Sequence, residues 1–276
     1  MTTKINCLKC GNEFEPQCIN LLGIDRVLSE YCYECREKIK AENEASARAG
    51  AEREAMDRKA RWLKSSGVPL KYQTVSFETF ENRGYNSTKI KKLCQDYAIN
   101  FPMVSGGGYK SLVITSPSNW GVGKTHLVCS IARTIIDRWA RLSQSSPVLY
   151  LTEPDMFRRI RSTFSREYDK ETEQDVYDAL LNVPLLIIDD VGKEEVSDLR
   201  FVQRAWFSVI NGRYDNMLPI VLTANLTPDG IAYHLGGSRG NEAAWDRLLE
   251  MAENNFWELN GTSKRRENYG MPDKTG

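Results

Sequence analysis

From residue 67 onward, short apolar runs recur along the chain, each bounded by turn-forming or charged positions. Ser111 to Thr115, Pro147 to Thr152, Pro184 to Asp189 and Leu218 to Thr223 are four such runs, rich in Val, Ile and Leu. Continuous apolar runs of this length predict strands buried on both faces. Between them apolar residues recur every three to four positions, the spacing of an amphipathic helix. That spacing predicts helices over Lys124 to Trp139, Met156 to Phe164 and Asp198 to Tyr214. Alternating strands and helices imply an α/β fold with a parallel sheet covered on both sides.

The first quarter of the chain, residues 1–66, follows a different pattern. Residues 1–35 are short, turn-rich and rich in cysteine. Residues 36–64 consist mainly of Glu, Lys, Arg and Ala, with no Pro and one Gly, Gly50. This composition favours helix but offers no strong apolar stripe. A solvated connecting helix is preferred here over a nucleic-acid-binding arm. Ser65-Ser66-Gly67 and Pro69 end it. The expected organisation is a four-cysteine module (1–35), a helical linker (36–66) and an α/β domain (67–276).

The loop after the first of the four strands carries the clearest chemistry. Ser118-Asn-Trp-Gly121-Val122-Gly123-Lys124-Thr125 matches the phosphate-loop pattern, with Ser118 in place of its first glycine. In such a loop the backbone N–H groups and the helix N-terminus face phosphate oxygens. Gly123 lets the backbone approach, Lys124 reaches the β- and γ-phosphates, and the Thr125 hydroxyl ligates Mg²⁺. The nucleotide-binding set is Gly121, Val122, Gly123, Lys124, Thr125 and His126, together with Asp189. The bland alternative is a glycine-rich strand–helix turn, which the flanking strand and helix and the acidic strand further on disfavour.

That acidic strand, Leu185 to Asp190, ends in two carboxylates. Asp189 is expected to hold Mg²⁺, and Asp190 to orient or deprotonate an attacking water. Asn225, at the tip of the next strand, is placed to touch the γ-phosphate or that water. Solvated acidic turns and a turn-forming Asn are the structural alternatives.

Taken in order, Gly-Lys-Thr-His126-Leu127, Ile-Ile-Asp-Asp-Val-Gly192 and Thr-Ala-Asn225 resemble the AAA+ ATPases of the DnaC/IstB type. The resemblance runs over about residues 62–267 and takes in Ser66 to Tyr72, Phe77 to Phe80 and Gly261 to Arg265. It implies an AAA+ P-loop NTPase that binds ATP with Mg²⁺ and hydrolyses it, stimulated by assembly or DNA and slowed by the shorter Asp190. It implies that Arg247, in Asp246-Arg247-Leu248, is a finger acting on a neighbouring subunit's ATP in an ATP-dependent homo-oligomer, with Arg239 as rival. By the same resemblance Arg265 senses phosphate. Ser118 and the shorter Asp190, where fast relatives carry Glu, depart from the pattern. The chain also ends soon after Arg265, leaving little room for the helical lid of longer relatives.

Cys7-x-x-Cys10 and Cys32-x-x-Cys35 form two knuckles, and four thiolates at this spacing suit tetrahedral Zn²⁺. A module of this size has too small a core to fold unaided, and a structural metal supplies the difference. Cys18 is a spare ligand, and Cys94 and Cys129 fall on predicted helices as small buried residues. With few basic or aromatic residues set for bases, the module points to a protein partner, which the resemblance implies is a replicative hexameric helicase.

Lys+Arg and Asp+Glu both number 37, so bulk charge points to no nucleic acid and any such site must be local. One local cluster exists: Arg158, Arg159 and Arg161, on the helix after the second predicted strand. These arginines are candidate contacts for single-stranded DNA, with a solvated face of a core helix as the equal alternative. No apolar run reaches the roughly 20 residues of a membrane span, and the polar N-terminus is unlike a signal peptide. A cytoplasmic protein, in a bacterial or phage-infected cell, is expected. The preferred function is loading a replicative helicase. A transposition helper ATPase is the alternative, followed by a P-loop kinase and an ATP-gated DNA-binding adaptor.

Overall fold

A computed structural model describes residues 4–21, 24–103, 107–142, 145–164, 171–192, 198–236 and 242–264. It divides into two compact units, Met1–Asp57 and Arg58–Gly276. In the first, β1 (Ile5–Asn6) pairs antiparallel with β2 (Glu13–Phe14), and β3 (Cys18–Leu21) with β4 (Ile24–Val27). Helix α1 (Tyr33–Ser65) begins in this unit and ends in the second. Gly67 stops it at φ +84, where an added Cβ would stand 2.1 Å from the Tyr150 carbonyl oxygen. No described helix is long and apolar enough to cross a membrane.

The second unit holds α2 (Ser87–Asn100), β5 (Leu112–Thr115), α3 (Lys124–Trp139), β6 (Val148–Thr152), α4 (Glu153–Ser162) and α5 (Glu173–Asn182). It continues through β7 (Leu185–Val191), α6 (Leu199–Asp215), β8 (Ile220–Ala224), α7 (Pro228–Gly236), α8 (Ala243–Ala252) and β9 (Phe256–Glu258). The five strands form one parallel sheet in the order β6-β7-β8-β5-β9. Alternate residues feed two cores. Leu185 and Ile187 of β7 join Leu112 and Ile114 of β5 beneath α2 and α3. Leu186, Ile188 and Val113 join Met156, Phe157, Trp206 and Val209 on the other face. Both faces are therefore dry, which is why the strands read as unbroken apolar runs.

The four predicted strands and three predicted helices all form, α3 with the ends predicted and the others with shifted ends. Helix α4 starts three residues earlier than its apolar spacing indicates. The Thr152 hydroxyl accepts from the Asp155 amide and Pro154 occupies the first turn, a polar start signal that hydrophobic periodicity does not register. The fifth strand, β9, was not among those predicted. Its three residues are too few to show a period, and pairing with β5 alone makes it a strand.

Arg213 on α6 is fully buried and donates to the carbonyls of Leu180, Pro184 and Pro219 at 2.8, 3.3 and 2.7 Å. It thereby joins the end of α5 to the starts of β7 and β8. Burial pulls its pKa down to about 9.

Candidate functional site

The strands of the second unit converge on a cleft at their C-terminal ends, where open α/β sheets bind ligands. The phosphate loop leaves β5 and enters α3 through Gly123, whose φ is +108. A Cβ on Gly123 would stand 2.6 Å from Cε2 of Phe80, so only glycine fits between that ring and the cleft. Ser116 Oγ donates to the Asn119 carbonyl at 2.7 Å, and Asn119 Nδ2 donates to that of Gly261 at 2.9 Å. These bonds brace the part of the loop where Ser118 replaces the usual glycine.

Lys124, largely buried, donates from Nζ to Asn225 Oδ1 at 2.6 Å. Thr125 Oγ1 donates to Asp189 Oδ2 at 2.8 Å. Asp189 is buried and also accepts from the Tyr150 hydroxyl at 2.6 Å and from the Thr223 hydroxyl. Burial, then the neighbouring charge of Asp190, raise the pKa of Asp189, while those three hydroxyl bonds oppose the rise. A carboxylate held this way beside the Thr125 hydroxyl is a fitting oxygen donor for a divalent cation. Asp190 has φ +60, and its amide donates to Thr223 Oγ1 at 3.0 Å. The strand register breaks between Ile188 and Val191, which turns Asp190 toward the cleft rather than into the ladder.

The cleft has a volume of about 900 Å³ and is lined by Gly121, Gly123, Lys124, Thr125, His126, Asp190 and Asn225. That volume lies within the usual range for a bound small molecule. Val122 buries its side chain in the core, so only its backbone is available to a ligand. The His126 ring turns toward the lead-in segment: Nε2 is 2.8 Å from the Ser76 carbonyl oxygen and 3.3 Å from Thr79 Oγ1. Burial lowers its pKa. Sequence reasoning left out the opposite wall, formed by Lys71, Tyr72, Thr74 and Val75 from the lead-in and by Lys264. The segments Ser66 to Tyr72 and Gly261 to Arg265 were the signal available for it, and neither assigned a role to these side chains. Arg247 does not line this cleft. Its guanidinium lies 5.4 Å over the Phe207 ring and 5.7 Å over that of Tyr214, with Nη1 buried and unbonded. Arg239 and Arg265 lie outside the described residues.

The arginine-bearing helix α4 buries Met156, Phe157 and Ile160 and leaves Phe164 beyond its end exposed. Arg158 pairs with Asp155 at 2.6 Å, and Arg159 pairs with Glu171, its Nε 2.8 Å from Oε2. Arg161 lies 4.6 Å over the Phe201 ring. The apolar half of the helix is thus core, and its arginines lie along the other half.

In the first unit the sulfurs of Cys7, Cys10, Cys32 and Cys35 all lie within 4.8 Å of one another. Tetrahedral zinc with bonds of about 2.3 Å sets its sulfurs about 3.8 Å apart, so this donor set fits the ion. The Cys32 amide donates to Cys7 Sγ at 3.3 Å. Burial alone would raise the Cys7 thiol, but the backbone amides of Cys32, Cys10 and Lys9 outweigh it and lower it to about 6. Burial, followed by the other three sulfurs, pushes Cys35 up to about 12. Cys18 is exposed and stands apart from the cluster.

Residues 41–270 match the family described as IstB-like ATP binding protein. The chain belongs to that family. It is 26% identical over 239 residues to the replicative helicase loader DnaC of Buchnera aphidicola subsp. Baizongia pistaciae (strain Bp), covering 85% of this chain and 88% of the relative. It is 25% identical over 203 residues to the phage-like element PBSX protein XkdC of Bacillus subtilis (strain 168), covering 69% of this chain and 66% of XkdC. Among solved structures, DnaI superposes with a TM-score of 0.53 at 21% identity, covering 71% of this chain and 94% of DnaI. The DnaC helicase loader superposes with a TM-score of 0.51 at 22% identity, covering 69% and 98%. These likenesses show a shared fold, and the family match agrees with the DnaC/IstB resemblance read from the motifs.

Proposed function

We propose that this protein is an ATP-dependent loader that helps place a replicative hexameric helicase on single-stranded DNA in the cytoplasm. The observation that carries the reading is the convergence of Lys124, Thr125, Asp190 and Asn225 on one cleft, with buried Asp189 bonded to Thr125 behind it, in a chain similar to a DnaC loader along most of its length. Lys124 would bind the β- and γ-phosphates, and Thr125 with Asp189 would hold Mg²⁺, which supplies charge neutralisation on the phosphates when bound. Asp190 would orient the attacking water, and Asn225, now bonded to Lys124, would sense the γ-phosphate. Arg247 and Arg265 would act on phosphate from within an ATP-dependent homo-oligomer. Turnover would be slow, because Asp190 is one methylene shorter than Glu. The Cys7/Cys10/Cys32/Cys35 module (1–35), joined by a helical linker (36–66) to the ATPase domain (67–276), would bind zinc and dock on the helicase. Arg158, Arg159 and Arg161 would contact single-stranded DNA.

The family description favours one second reading, a transposition helper whose partner is a transposase. Affinity capture with tagged full-length protein and ATP, from the organism that encodes it, separates the two. Recovery of a hexameric helicase supports the loader. Recovery of a transposase and no helicase overturns it.

A further inference from the structure

Glu153 is the most completely enclosed carboxylate outside the cleft among the described residues. It opens α4, has no exposed surface, and has no role in the chemistry assigned above. Its Oε1 accepts from Trp206 Nε1 at 2.7 Å and pairs with His234 Nε2 at 2.6 Å. Its Oε2 accepts from the Gly192 amide at 2.7 Å. A buried carboxylate is tolerated only when donors satisfy it, and these three come from three different elements. Trp206 belongs to α6, His234 to α7, and Gly192 follows the acidic strand β7.

The Gly192 bond bears on the cleft. Asp190 occupies left-handed backbone at φ +60, a conformation that non-glycine residues keep only when their surroundings hold it. The turn from Asp190 to Gly192 is pinned at one end by Thr223 Oγ1 on the Asp190 amide and at the other by Glu153 on the Gly192 amide. We propose that Glu153 is a positioning residue: it holds this turn so that Asp190 faces the cleft, and as part of α4 it makes the turn answer to movement of the arginine-bearing helix. The inference rests on the assignment of Asp190 to the attacking water.

The test uses full-length Glu153→Gln protein with ATP, with and without an oligothymidylate strand. A glutamine keeps the shape but has one accepting oxygen for donors on two sides, so one N–H is left facing an NH₂. The expected result is a kcat lowered about tenfold, ATP affinity within about twofold of wild type, and a DNA-to-no-DNA rate ratio that falls toward one. Trp206→Phe removes the one side-chain donor whose N–H cannot change tautomer, so the Glu153→Gln/Trp206→Phe double variant should recover part of kcat. That recovery also separates positioning from simple loss of folding. A wild-type kcat in Glu153→Gln, or loss of ATP affinity together with kcat and no recovery in the double variant, overturns the inference. A preserved DNA ratio overturns the link to α4. If Asp190→Asn itself turns over normally, the assignment of Asp190 fails instead. If wild type shows no DNA response, the DNA reading fails and kcat alone decides the inference.

Discussion

At the scale of single residues the cleft separates binding from turnover. Lys124 is the lysine that enters the cleft from the phosphate loop and bonds Asn225, and its removal takes away the charge proposed to meet the phosphates. Lys124→Ala should therefore lose nucleotide affinity at least tenfold, measured by titration with a fluorescent ATP analogue. Asp190→Asn keeps size and shape, so its ATP affinity should stay within about twofold while kcat falls about a hundredfold. Steady-state hydrolysis read beside the same titration checks both, and unchanged turnover in Asp190→Asn moves the water-orienting role elsewhere. That these side chains would meet was legible in the sequence, because a phosphate loop and an acidic strand each set particular residue types at a particular spacing. The lead-in wall of Tyr72, Thr74 and Val75 was not, because its contribution is position alone. Phe80 is similar: nothing in its type says that its ring will lie where a Gly123 Cβ would stand.

At the scale of elements, legibility followed length and period. Helix α3 has the ends its periodicity predicts, Lys124–Trp139, while β9 has three residues and exists through a long-range pairing. Helix α4 shows both outcomes. Phe157 and Ile160 are core as their spacing suggests, but Phe164 falls past the helix end and is exposed. The arginines of α4 pair with Asp155 and Glu171 or lie over Phe201, all near the surface, where such pairs contribute about 1 kcal/mol or less each. Phosphates can therefore compete for them. Replacing Arg158, Arg159 and Arg161 with Ala should weaken single-stranded DNA binding and flatten its dependence on salt, with ATP affinity retained. Anisotropy titrations at three salt concentrations measure both; equal affinity and slope would make α4 purely structural. The cysteine module was legible for the same reason as the phosphate loop, since two knuckles state a donor set outright. Metal analysis should find one zinc per chain, and chelation should abolish protection of the first unit in hydrogen exchange. Zinc affinity should fall as pH is lowered, because the thiolates must be deprotonated to bind.

At the scale of the whole molecule, Arg247 decides between an ATPase complete in one chain and one completed by assembly. It lines no part of this chain's own cleft, and its guanidinium rests on Phe207 and Tyr214 with Nη1 buried and unbonded. A buried guanidinium nitrogen can gain from an anionic acceptor brought to it. Under the proposed assembly, a neighbouring subunit's γ-phosphate would be such an acceptor, reached in trans. Neither Lys124→Ala nor Arg247→Ala protein should hydrolyse ATP appreciably alone. Mixed in equal amounts, they can form an interface in which the Arg247→Ala subunit supplies Lys124 and the Lys124→Ala subunit supplies Arg247. With random assortment about one interface in four has that composition, so ATPase should return to about a quarter of the wild-type rate. Activity against mixing ratio should peak near equal amounts and vanish at either end. A flat profile at all ratios, with a monomeric ATP-bound protein by light scattering, would leave Arg247 as a packing residue and count against a finger in trans.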